Sequence, residues 1–119
     1  MASYVDELSE DRQRVSKALN TLIAEQEELV RDLSDALNEY RDVLDRLIIR
    51  TMIYRNIYGA TQGQTVMAEK DAQDASRPVT ETAAQLERET EVLRVYREAV
   101  KQVDSGLPLG MAIGRFPMG

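Results

Sequence analysis

From Tyr4 to Tyr58 the chain contains neither glycine nor proline, and its apolar residues return every seven positions in three adjacent columns. One column is Leu8, Val15, Leu22, Leu29, Ala36 and Val43; a second is Leu19, Gln26, Leu33, Tyr40, Leu47 and Tyr54; a third is Ile23, Val30, Leu37 and Leu44. The columns lie three or four residues apart, so they merge into one broad stripe on a helix, a spacing that no strand produces. The pattern predicts a single helix over about 4–58, capped by Ser3 with Asp6 three residues later and terminated by Gly59. About 55 residues at 1.5 Å each would make a rod of roughly 80 Å.

The stretch from Leu47 to Tyr58 is apolar over more of its circumference and rich in β-branched residues. As a strand it would put Thr51 and Arg55 on one face with Ile49, Ile53 and Ile57, so helix is the better assignment. The wider apolar arc predicts more neighbours around this end than around the beginning.

Residues 59–77 read as a polar connection, long for a structureless loop, in which Thr65 to Ala75 has the composition of a short intermediate helix. A second helix is predicted from about Pro78, a residue favoured in the first turn, to about Asp104, where Gly106 and Pro108 stop it. Its stripe is Val79, Ala83, Leu86, Leu93, Tyr96, Val100 and Val103. At about 26 residues it would span roughly 40 Å. Folded back, it covers only half of the first helix, from Tyr58 to the neighbourhood of Leu33. Leu8, Val15, Leu19, Leu22, Ile23, Leu29 and Val30 would then form a bare seam and a candidate oligomer or partner interface. Three columns, where a strict dimer seam has two, point to three or more helices per bundle. Leu22→Asp and Leu29→Asp would place unpaired charges in that seam and abolish assembly more than they lower helix content.

The segment 106–119 has one charge, two prolines and four glycines, and it cannot hold a stable helix. It is also too apolar for an ordinary solvated linker. It reads as an extended docking arm lying in a groove on a neighbouring subunit, anchored by Leu107, Leu109, Met111, Ile113 and Phe116; a disordered, sticky tail is the plainer alternative. The expected architecture is therefore all-α: an elongated helical hairpin or coiled-coil bundle with one long N-terminal helix, a shorter returning helix and an extended C-terminal arm. The helical coiled-coil domain takes residues 1–105 and the apolar arm 106–119.

Composition narrows the chemistry. The chain has no histidine, cysteine or tryptophan. That removes imidazole acid–base catalysis, thiolate nucleophiles, disulfides and the ligands zinc normally uses. A content of 43% hydrophobic, 30% charged and 5% aromatic residues suits helix-rich chains and not sandwiches or barrels. The net charge of −6, from 15 basic and 21 acidic residues, gives no long-range attraction for phosphate backbones or anionic membranes, and no nucleic-acid partner is expected. The acidic amino terminus lacks the basic start and apolar core of a secretory signal. The most apolar runs, around 47–58 and 107–118, contain Arg50, Arg55 and Arg115 and fall short of the roughly 20 residues of a membrane span. A cytoplasmic or particle-associated location is expected.

The carboxylates lack the histidines of helical di-metal sites, and Asp71 to Asp74 lacks the alternating acids and central glycine of a calcium loop. Ser9, Ser16 and Ser105 could meet Lys17, Lys70 or Lys101 only outside any known serine–lysine motif. The glycines of the arm are not followed by the lysine and hydroxyl of a phosphate cradle. Hence no catalytic residue, metal, cofactor or small-molecule substrate is expected, and the chain is not expected to be an enzyme.

Arg41 and Arg46 are balanced by Asp42 and Asp45, as in the pair Asp42 to Arg46. Past Arg46 the acids disappear, leaving Arg50, Tyr54, Arg55 and Tyr58 as a small basic, aromatic patch. Such a patch either covers a bundle end with its stems and rings or serves as an interface. The expected role is a structural assembly subunit that forms an oligomeric helical bundle with copies of itself or other protein subunits, within a larger particle such as the connector, tail, fibre or baseplate of a tailed virion. The alternative is a small helical chaperone or adaptor of a secretion or motility system that binds a client's helices. The particle is chosen by analogy.

Overall fold

A computed structural model describes residues 12–106. Helix α1 spans Arg12–Tyr58 (47 residues) and helix α2 spans Gly63–Asp104 (42 residues), joined by the turn 59–62. The fold is an all-α helical hairpin, with no strand among the described residues. The expected cap at Ser3 and Asp6, the seam residue Leu8, and the arm with Leu107, Leu109, Met111, Ile113 and Phe116 lie outside the described residues.

Helix α1 ends where the glycine requires it to. Gly59 adopts a φ of 91°, and its N–H donates to the Arg55 carbonyl at 3.0 Å, closing the last turn in the left-handed conformation that side chains resist. At the other end of the chain Gly106, with φ 107°, donates to the Val103 carbonyl at 3.0 Å, so α2 stops next to the expected Asp104.

The start of α2 corrects the sequence reading. The helix begins at Gly63, 15 residues before Pro78, and the expected connection over 59–77 shrinks to four residues. The reason is a stripe written in small side chains. Thr65 and Ala68 are buried and Ala72, Ala75 and Val79 are half-buried, continuing through Leu86, Leu93 and Val100 at the same heptad spacing. Alanine and threonine carry too little hydrophobicity to advertise a core face, but the face is there. With α2 this long, the premise that it covers only half of α1 no longer holds.

Pro78 therefore stands inside α2 and not at its first turn. It supplies no N–H to the Asp74 carbonyl, and its ring crowds that carbonyl. Pro78→Ala should restore the hydrogen bond and raise stability by about 2 kcal/mol, seen as a higher melting temperature by circular dichroism at 222 nm. An unchanged or lower melting temperature would show that the backbone already relaxes around the ring.

The described residues divide into two compact units, one comprising 12–30 and 88–106, the other comprising Arg31–Glu87. The core of the first is Val15 and Leu19 of α1 with Ala99 and Val103 of α2, and half-buried Val100 packs against it. Polar ties surround it. The Gln26 amide donates to the Glu89 carbonyl at 2.8 Å and to its carboxylate at 2.7 Å, Arg12 donates to the Gly106 carbonyl at 3.1 Å, and Arg97 lies 3.4 Å from Glu27.

In the second unit Leu37, Thr51, Thr65 and Ala68 are buried. Thr51 satisfies its hydroxyl on the Leu47 carbonyl at 2.8 Å. Thr65, 0% exposed, has no partner for its hydroxyl among the described residues. A buried hydroxyl without a partner costs about 1–3 kcal/mol, so Thr65→Val, nearly the same shape, should stabilise the hairpin by about 1 kcal/mol. Chemical denaturation would read this as a higher midpoint at unchanged slope.

Candidate functional site

The unusual surface lies at the turn end of the second unit. Ile48, Ile49, Met52, Ile53 and Ile57 of α1 are all exposed, Met52 at 62% and Ile57 at 67%. At 100° per residue these five, with Asn56, fall within about half the circumference of the helix. The opposite half holds buried Thr51 and half-buried Leu44, Leu47 and Tyr54, which face α2. On α2, Val66 and Met67 are exposed as well.

The apolar face begins abruptly. One heptad earlier the same side of α1 carries Arg41, Asp42, Asp45 and Arg46, all exposed. Charged residues keep water on that part of the helix; after Arg46 isoleucine and methionine take their places. A monomer seldom exposes several neighbouring large apolar side chains, and a patch of this kind marks a contact surface. An open groove of 390 Å³ runs beside it, between Ile48 and Met52 on α1 and Glu69 and Gln73 on α2.

In the basic, aromatic patch of Arg50, Tyr54, Arg55 and Tyr58 the charges are already engaged. Arg50 reaches the Asp71 carboxylate at 3.1 Å and lies 5.9 Å from the centre of the Tyr54 ring. Tyr54 and Tyr58 meet edge to face at 5.6 Å, and Arg55 pairs with Glu69. These side chains tie the two helices of the hairpin together beside the apolar face.

The seam residues have varied fates. Val15 and Leu19 are buried in the chain's own core, and Ile23 and Val30 are half-buried. Leu22 and Leu29, about 40% exposed, remain on its flank. The bare seam was a consequence of a short second helix, and a full-length α2 covers most of it.

Among the described residues, an exposed pair on α2 shifts in proton affinity. A hydrogen bond from Arg94 holds the Glu91 carboxyl below its ordinary value, and the same bond raises the Arg94 guanidinium. This is a surface helix pair of three-residue spacing, with no cleft around it. Among the described residues no group of three or more histidine, cysteine or acidic side chains is placed to hold a metal ion, and no helix is long and apolar enough to cross a membrane.

Neither a protein-family model, nor a curated protein, nor a solved structure matches the chain. The apolar face of α1 stands as the candidate site on its own geometry. Its residues were missed in sequence because the arc from Leu47 to Tyr58 is apolar over most of its circumference, and the sequence reading laid a helix against it without saying which side that helix covers. The heptad series Thr65, Ala68, Ala72, Ala75 and Val79 was the signal that would have separated them.

Proposed function

We propose that the chain is a non-enzymatic structural assembly subunit that joins copies of itself into a helical bundle through the apolar face at the turn end of the hairpin. The observation that carries this reading is the exposure of Ile48, Ile49, Met52, Ile53 and Ile57 on one side of α1. With Val66 and Met67 each exposes on the order of 100 Å² of apolar surface, and together they approach the ~800 Å² that one partner contributes to a standard interface. The wider apolar arc noted in the sequence calls for neighbours, and a second chain supplies them.

Economy of the core supports the same reading. Among the described residues the buried hydrophobic ones are Val15, Leu19, Leu37, Ala68, Leu93, Ala99 and Val103, of which two are alanine. Two helices bury one stripe each, and small scaffolds of this kind gain stability by association. The test is mass by light scattering or sedimentation across a concentration series. A defined oligomer that dissociates on dilution is expected. A chain that stays monomeric at all concentrations and orders its turn end only on a client helix would replace this reading with that of a chaperone or adaptor.

A further inference from the structure

Asn56 interrupts the apolar face of α1 one heptad after Ile49, with Met52 and Ile53 between them. Resting on the assembly reading above, we propose that the occupant of this face is a second copy of the chain packed in parallel, α1 against α1, with Asn56 paired to its own counterpart so that register and copy number are fixed at two.

The charge pattern suits a self-contact. Arg50 and Arg55, which border the face, are neutralised by Asp71 and Glu69 of the same chain, so two copies can approach without opposing free cations. The five apolar side chains of α1 offer on the order of 500 Å² per copy, so a contact of α1 on α1 buries about 1,000 Å² in all, the lower bound of a specific interface. No hydrogen bond within the described residues holds the Asn56 side chain, which leaves its amide free to donate and accept across an interface.

Direction follows from where Asn56 sits. The face runs from Ile48 to Ile57, with its centre between Met52 and Ile53. An antiparallel pair about that centre sets Asn56 against Ile49 of the second copy and buries an amide with no partner, which is unfavourable. An antiparallel pair centred on Asn56 carries Ile49 beyond Tyr58, where α1 ends, and leaves half the face bare. Only the parallel arrangement matches Ile49 with Ile49, Ile53 with Ile53 and Asn56 with Asn56. A single asparagine at such a core position satisfies itself in a two-stranded contact and disfavours other registers and higher numbers. Arg41, Asp42, Asp45 and Arg46 lie one heptad back on the same side, so the apolar contact ends at Ile48 and gives way to hydrated, mixed charge.

The chain has no cysteine, so single cysteines report contacts directly. In the full chain, Ile49→Cys should form a disulfide-linked dimer under mild oxidation at least about tenfold faster than Lys70→Cys on the exposed side of α2, since only matched positions bring the sulfurs within bonding geometry. Asn56→Ile should convert a uniform dimer into a mixture of larger species. Helix content by circular dichroism checks that each variant is folded. Several outcomes overturn the proposal while leaving assembly intact: a dimer in which only Ile53→Cys cross-links, which is antiparallel; a wild-type mass above two chains; or an Asn56→Ile variant that stays a uniform dimer. A wild type that is monomeric throughout, with or without a client helix, overturns the assembly reading and this proposal together.

Discussion

Met52→Asp and Ile53→Asp should each weaken self-association by ~100-fold or more, because each would bring a carboxylate into the centre of an apolar contact, beside Arg50 and Arg55 that are already paired with Asp71 and Glu69. A factor of that size is about 2.7 kcal/mol. Both positions are exposed in the single chain, so the helices should keep their content and melting behaviour when measured at concentrations below dissociation. The pair of readouts separates interface from fold: sedimentation should change and circular dichroism should not. Leu22→Asp, on the flank of the other unit and 40% exposed, should alter mass far less. Equal loss of assembly from Leu22→Asp and Met52→Asp would shift the contact away from the turn end.

Val103→Asp should have the opposite signature. Val103 is 1% exposed and packs with Val15, Leu19 and Ala99, so a carboxylate there is desolvated without a partner. The expected loss is about 3 kcal/mol or more, a large part of the ~5–15 kcal/mol that holds an ordinary domain. Hydrogen exchange read by mass spectrometry should show lost amide protection in 12–30 and 88–104, the segments that share this core. Protection equal to that of the parent chain would mean that Val103 contributes little to the unit.

How far these features could be read in advance depended on the size of the side chains that wrote them. The columns Leu19, Leu33, Leu47 and Ile23, Val30, Leu37, Leu44 are made of large aliphatics, and they marked α1 as a helix through to Tyr58. Gly59 marked its end for a reason of backbone geometry that is local and therefore legible. The first turns of α2 depend instead on Thr65, Ala68, Ala72 and Ala75, which contribute little transfer free energy individually and resemble a polar connection by composition. Pro78 compounded the error, since a proline prefers the first turn and an interior proline is tolerated only when surrounding contacts offset its cost. The bare seam expected over Leu8 to Val30 is the result of that one misplaced boundary. The abrupt change from Asp45 and Arg46 to Ile48 and Ile49 was visible throughout, but only a known partner helix says which side of it faces outward.

The two capping glycines differ in what a side chain would meet. A Cβ at Gly106 would touch the Arg12 guanidinium at 3.4 Å, an ordinary van der Waals contact. At Gly59 a Cβ would meet nothing within 4 Å. The demand at the turn is thus one of chirality alone: there is room for a methyl group, and only its mirror-image attachment would suit a φ of 91°. The reversal of the whole chain rests on the one genetically encoded residue that has no handedness.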